Sequence, residues 1–356
     1  MMSRMVSSYN TSIFDKVKNQ STPTLPDTAD DVILYENNLK EYYGSKYALA
    51  LTSGTASIIV ALHALGIDYG DQVITSPAAP MCTAFPIMYA TKTVLFSDIC
   101  NDNFGLDIDK LKNLDLKNIK AIVEVPMWGY PTDMIKLRDF AKNNNIALIA
   151  DLALSPVTKI HSKYLFNYAD IACYSTQQSK LFSTGGEGGY IITNNEELYE
   201  KAFSFSRMGN LDGVNFGVNF KISDLQAKEG TKQLSKLHET IELRKYNANY
   251  IRSRIKSNTI SEIKILNSGE PSYQRMVLLC QTGNTELIND LTHKNHIQSD
   301  VVSYNIKPLY DYPILAKYKT KCPNTERILS TMTTIPLHLQ YNTDQLDKII
   351  TIINNH

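Results

Sequence analysis

With 356 residues, 43% hydrophobic and 20% charged, the chain has apolar material for a real core and length for two domains at about 100 to 200 residues each. Disorder, a collagen-like fibre and a small disulfide scaffold are excluded. Its 36 Lys and Arg balance 36 Asp and Glu, so no general electrostatic pull draws it to nucleic acid or to an anionic membrane.

Residues 1–16 carry Arg4 but lack the run of about 7 to 15 apolar residues of a secretory signal, so no export is expected. Two stretches free of Lys, Arg, Asp and Glu, 47–67 and 73–91, have the length of a membrane helix of about 20 residues. Thr52-Ser53-Gly54-Thr55 interrupts the first, and Pro77, Pro80 and Pro86 the second, so both read as buried strand, turn and helix. Strands are expected at 48–51, 72–75, 93–96, 121–125, 147–150, 171–174 and 189–193, alternating with helical stretches such as 134–143. Such alternation predicts an α/β domain with a mainly parallel, seven-stranded sheet. At Ser223 the texture changes. Ser223 with Gln226 forms a capping-box pattern, and Leu234, Leu237 and Ile241 follow at helical spacing, which predicts one long amphipathic connecting helix. Strand-like runs at 276–279 and 333–337 precede a closing helix with Leu346, Ile349, Ile350 and Ile353 on one face, a smaller α+β domain. The division is expected at 1–240 and 241–356. Five cysteines, odd in number and at least eighteen positions apart, form no CxxC pair and read as reduced thiols of a cytoplasmic protein.

The sharpest chemical feature is Asp151, followed 29 positions later by Lys180. Asp151 ends an apolar run, which places a carboxylate at the carboxyl end of a buried strand, where open α/β sheets put their ligands. Desolvating it alone is costly, so it needs a positive partner, and a cofactor pyridinium is one candidate. Lys180 follows a strand and precedes Gly185-Gly186-Glu187-Gly188-Gly189, a loop where backbone can come close to a ligand. A lysine in a partly dry pocket loses its proton readily and can form a Schiff base. Upstream, Ser53-Gly54-Thr55 feeds a helix whose N-terminal N–H groups and hydroxyls suit an anion, although such turns often serve only as caps. Glu187 reads as shaping the glycine loop, and Trp128 as packing at a strand end. His338 reads equally well as structural or close to substrate. His293 and His296 read as a solvated helix face, and no metal is expected.

In this order the motifs resemble the DegT/DnrJ/EryC1/StrS family of fold-type-I, pyridoxal-phosphate-dependent sugar aminotransferases. The matching segments are Leu51-Thr52-Ser53-Gly54-Thr55-Ala56, Asp151, Cys173-Tyr174-Ser175 with Lys180, Gly186-Glu187-Gly188-Gly189, Asn219-Phe220-Lys221-Ile222-Ser223-Asp224-Leu225-Gln226-Ala227 and Ile335-Pro336-Leu337-His338. The resemblance implies that Lys180 holds pyridoxal 5'-phosphate (PLP) as a Schiff base and that Asp151 pairs with the pyridine nitrogen, keeping the ring an electron sink. It implies that Gly54, Thr55 and Ser175 hold the phosphate, and that Asn219 and Lys221 reach the phosphate of the partner subunit in a homodimer. The implied reaction moves an amino group from an amino acid, usually glutamate, to a nucleotide-linked keto sugar. Transamination of a cyclitol, an elimination, or a silent cofactor-binding homologue are the alternatives. In a related dehydrating branch, histidine replaces the Schiff-base lysine, and Lys180 argues against that branch.

Three positions depart from the family pattern. Leu154 stands where Gln or His usually bonds the cofactor's phenolic oxygen. Pro80 takes the place of the stacking aromatic residue, with Phe85 five residues on, and Pro126 stands where histidine is frequent. Proline packs on a ring but lacks a π face. These changes point to a divergent member whose acceptor differs from a typical 4-keto-6-deoxy sugar.

Overall fold

The computed structural model describes residues 30–356, so the segment read for an export signal lies outside the described residues. In chain order the first half contains α1 (Asp30–Tyr43), β1 (Tyr47–Leu51), α2 (Gly54–Ala64), β2 (Gln72–Thr75), α3 (Met81–Thr91), β3 (Leu95–Phe96), β4 (Ile119–Glu124), α4 (Met134–Asn143) and β5 (Ala147–Asp151). Short strands β6 (Lys159–Ile160) and β7 (Lys163–Tyr164) precede β8 (Ile171–Ser175), β9 (Gly189–Thr193), α5 (Glu196–Ser206), α6 (Asp224–Leu234) and α7 (Leu237–Arg252). The last third adds β10 (Ile260–Glu262), β11 (Gly269–Glu270), β12 (Met276–Cys280), α8 (Pro323–Thr331), β13 (Met332–Ile335) and α9 (Thr343–Asn354).

Seven strands form the large sheet in the order β1-β9-β8-β5-β4-β2-β3. Only β9 runs against its neighbours, so the sheet is mainly parallel, as expected. Alternate residues enter opposite layers. Leu49, Ile149, Cys173 and Ile191 pack on one side, and Ala50, Leu148, Tyr174 and Tyr190 on the other. Both faces are covered, which is why these strands read as continuous apolar runs instead of alternating ones. Burying each such Leu or Ile contributes about 1.5 to 3 kcal/mol.

The smaller antiparallel sheet runs β10-β12-β13, and buried Ile349 and Ile353 of α9 belong to its core. A third sheet pairs β11 with the β6–β7 hairpin, which ties the last third of the chain to the first half. No helix of the described residues is long and apolar enough to cross a membrane. The stretch 47–67 is β1, a turn and α2, while 73–91 runs from β2 into α3.

Three expectations are corrected. The long helix after Ser223 is two helices. The capping box of Ser223 and Gln226 forms, but the helix stops at Leu234 and α7 begins at Leu237. There Ser235 Oγ donates to the Lys232 carbonyl at 2.8 Å and competes with the helical ladder. The strand expected over 333–337 ends at Ile335, because Pro336 has no N–H for a ladder. His293 lies in a π-helical turn and His296 follows with φ +57°, so they do not share a regular helix face.

Candidate active site

A cavity of about 610 Å³ opens at the carboxyl ends of β5 and β8, lined among others by Gly54, Thr55, Pro80, Asp151, Leu154, Ser175 and Lys180. The expected site residues thus meet at one place, apart from Asn219 and Lys221. A smaller recess beneath α1, about 250 Å³, is lined by Ile33, Glu36, Lys40 and Tyr199 and contains none of these groups.

Asp151 is the last residue of β5 and only 3% exposed. Its Oδ2 accepts from Thr83 Oγ1 at 2.6 Å, in the first turn of α3, and its Oδ1 from the Ala153 N–H at 3.1 Å. Burial pushes its pKa up, opposed by these two bonds and by the charge of Lys180. A carboxylate in this position gains from a cation placed against it. Lys180 sits in the loop between β8 and β9. Burial holds its pKa below the ordinary lysine value, against the pull of Cys82, Asp151 and Asp300. A depressed lysine pKa gives more free amine near neutrality, the form that acts as nucleophile or base.

The end of α2 forms a cradle of donors. Ser53 caps the helix, its Oγ accepting from Ala56 N at 3.0 Å, which leaves the first-turn N–H groups of Gly54 and Thr55 at the cavity. Ser175, the last residue of β8, closes the cradle. A Cβ on Gly54 would stand 2.7 Å from Ser175 Cβ, so only glycine lets the helix end approach that strand.

The glycine loop does a different job from the one its sequence suggests. A Cβ on Gly189 would fall 2.5 Å from the Ser53 carbonyl, and one on Gly188 2.4 Å from Thr176 Oγ1. These glycines let protein backbone pack on protein, behind the cradle. The Glu187 carbonyl accepts from Thr184 Oγ1 and Gln226 Nε2, anchoring the loop to α6. Asn219 and Lys221 stand outside the cavity. Asn219 is exposed, its Oδ1 accepting from Lys221 N at 3.2 Å, and Lys221 bridges Leu51 at the end of β1.

At the positions that depart from the family, Pro80 caps α3 and Leu154 lines the cavity, while Phe85 is exposed on α3 and is no replacement for a stacking ring. The Pro126 carbonyl accepts from Ser155 Oγ. Trp128 is buried in left-handed backbone at φ +52°, packs on Phe104 and donates from Nε1 to Asp300 Oδ2 at 3.0 Å. Sequence reasoning missed this Trp128–Asp300 link and Arg275 beside it, which line the same cavity. His338 keeps an exposed face, its ring edge-on to Tyr341 at 5.1 Å, and partial desolvation of the ring together with the charges of Arg275 and Arg244 lowers its pKa.

Residues 16–354 match the model of the DegT/DnrJ/EryC1/StrS aminotransferase family. The chain is similar to a UDP-4-amino-4,6-dideoxy-N-acetyl-beta-L-altrosamine transaminase of Campylobacter jejuni, 30% identical over 86% of this chain and 85% of that one. It is also similar to a GDP-perosamine synthase of Escherichia coli O157:H7, 27% identical over 82% and 80% of the two chains. Among solved structures, ntda from Bacillus subtilis, with bound cofactor PMP, superposes with a TM-score of 0.83 at 23% identity, covering 98% of this chain and 81% of the other. The chain belongs to the DegT/DnrJ/EryC1/StrS aminotransferase family and is a PLP-dependent transaminase.

Proposed function

We propose that the protein transfers an amino group from an amino acid, with glutamate as the leading donor, to a nucleotide-linked keto sugar in the making of an amino sugar. The observation that carries this reading is the convergence of Lys180, buried Asp151 and the cradle of Gly54, Thr55 and Ser175 around one cavity. The residues fit the family's cofactor. The cradle offers uncharged donors to a phosphate, Asp151 offers an anion to a pyridinium, and Gln274 Oε1 in the wall is buried without a partner. Within this reading 1–240 is the cofactor domain and 241–356 the smaller domain.

When bound, PLP supplies the electron sink that makes the donor's α-carbon acidic. Lys180 would hold the cofactor covalently and, once displaced by the donor, take the α-proton on Nζ and return a proton to complete the exchange. Asp151, fixed by Thr83 and the Ala153 N–H, would keep the pyridine nitrogen protonated. Leu154 and Pro80 would cover the ring with apolar surface and exclude water. The enzyme is read as a cytoplasmic homodimer in which Asn219 and Lys221 reach the partner's cradle. Support comes from exposed apolar side chains close to them in sequence, Val214 at 82%, Phe216 at 77% and Leu225 at 82%. The test is to incubate protein, PLP and L-glutamate with nucleotide-linked keto sugars and with free keto cyclitols, and to detect products by mass spectrometry. An amine formed only from the nucleotide-linked ketones supports the reading. An amine formed only from a cyclitol, or from no ketone, contradicts it.

A further inference from the structure

We propose that Arg275, braced by Asp300, binds the α-carboxylate of the amino-acid donor. The inference rests on the transaminase reading above and assigns the group that holds the donor. Arg275 immediately precedes β12 and lines the cavity together with Lys180. The two are tied through their neighbours, since Gln274 Nε2 donates to the Ser179 carbonyl at 2.9 Å. Arg275 Nε donates to Asp300 Oδ1 at 3.0 Å. Asp300 is held in turn by the Trp128 indole at 3.0 Å and by its own N–H donating to Thr334 Oγ1 at 2.7 Å. The guanidinium is thereby fixed in orientation.

A second guanidinium lies beside it. Arg275 Nη1 and Arg244 Nη1 both donate to the Gln274 carbonyl oxygen, at 3.2 and 3.1 Å, so two guanidinium groups share one neutral acceptor. Among the described residues Asp300 is the carboxylate ion-paired to this couple, through Arg275. Arg244 Nε is buried with no partner, and burial together with the charge of Arg275 pulls the Arg244 pKa down to about 10. Arg275 Nη2 makes no hydrogen bond to the described residues. Two close cations with one counter-ion gain from an added anion.

The position selects the anion. Arg275 and Lys180 face the same cavity, and the bond from Gln274 to Ser179 joins the residues that immediately precede them. Of the reaction's ligands the amino-acid donor carries its anion nearest to the reacting nitrogen, and the guanidinium fork matches a carboxylate. The diphosphate of a nucleotide-linked sugar lies further from its reacting ketone.

Two readouts on the holoenzyme test this. The first is the donor half-reaction, followed by loss of the protein's yellow colour. Arg275→Leu is expected to lower kcat/KM for L-glutamate about 100-fold, mostly through KM, and Arg275→Lys by less. The KM for the keto acceptor should stay within about twofold. The second needs no turnover. Trp128 is the only tryptophan and touches Asp300, so glutarate, a dicarboxylate without the amine, should shift its fluorescence saturably in wild type and not in Arg275→Leu. An unchanged donor KM with an unchanged glutarate response in the variants overturns the assignment. A rise in acceptor KM alone also overturns it, by making the anion the acceptor's phosphate. If wild type reacts with no amino donor, the transaminase reading fails, and the glutarate titration still decides whether Arg275 is a carboxylate site.

Discussion

The cavity has two walls of different making. On the α2 side, the cradle of Gly54, Thr55 and Ser175 is backbone and hydroxyl, sized by a glycine that no larger residue can replace. On the other side, Trp128, Arg275 and Asp300 come from segments as far as 172 positions apart, and charge holds them together. The first wall suits a group of fixed shape that stays. The second suits ligands that come and go, with recognition resting on a few charged side chains. A shared scaffold with chain-specific chemistry is expected to divide its labour in this way.

The two walls make different predictions. The largest effect lies between them, at Lys180. Lys180→Ala should slow the donor half-reaction by at least about 1,000-fold, measured by stopped-flow absorbance, because the proposed covalent anchor and proton carrier are lost together. Substitution in the cradle should spare the donor and weaken the cofactor. In Gly54→Ala the added Cβ pushes α2 off Ser175, so the Kd for PLP should rise about 10- to 100-fold with the donor KM nearly unchanged. Ser175→Ala, which removes one hydroxyl, should cost about 10-fold in the same titration. Arg275→Leu should give the reverse pattern, and if both variants move the same constant, the division between the walls is wrong.

A separate effect concerns stability, beyond both walls. Glu124 ends β4, fully buried, with Oε1 unpartnered, and burial raises its pKa from 4.5 to about 7. The folded state therefore binds this proton more tightly than the unfolded chain. Its contribution to stability is complete below about pH 4.5 and is lost as pH rises to about 7, an upper bound of about 3 kcal/mol. Glu124→Gln should remove that slope in urea melts compared between pH 5 and 8. An unchanged slope would mean that Glu124 is ionised in the native protein.

How much of this was legible depends on distance along the chain. Asp151 ends a strand and Gly54 opens a helix, so short strings of residue types point to both. The seven-stranded sheet was legible for the same reason, since each strand is a local apolar run. The glycines at 188 and 189 were legible only in part: the residue type says that something approaches closely, and the structure identifies it as the Ser53 backbone and the Thr176–Thr184 pair. The break at Ser235 turns on one hydroxyl choosing the Lys232 carbonyl, a competition that periodicity does not register. The charged wall left the faintest trace. Trp128 reads as packing because its partner, Asp300, lies in the other half of the chain. The available signal was Arg275, a lone cation against the apolar run 276–280 of a buried strand.

The most direct measurement is the colour of the purified protein loaded with PLP, recorded before and after L-glutamate and again after a keto acid. A protein that uses Lys180 and Asp151 as proposed starts yellow, is bleached by the donor and recovers with the keto acid, while Lys180→Ala shows no such cycle. Colour that ignores glutamate, glutamine and other amino donors, or a Lys180→Ala protein that cycles like wild type, would contradict it.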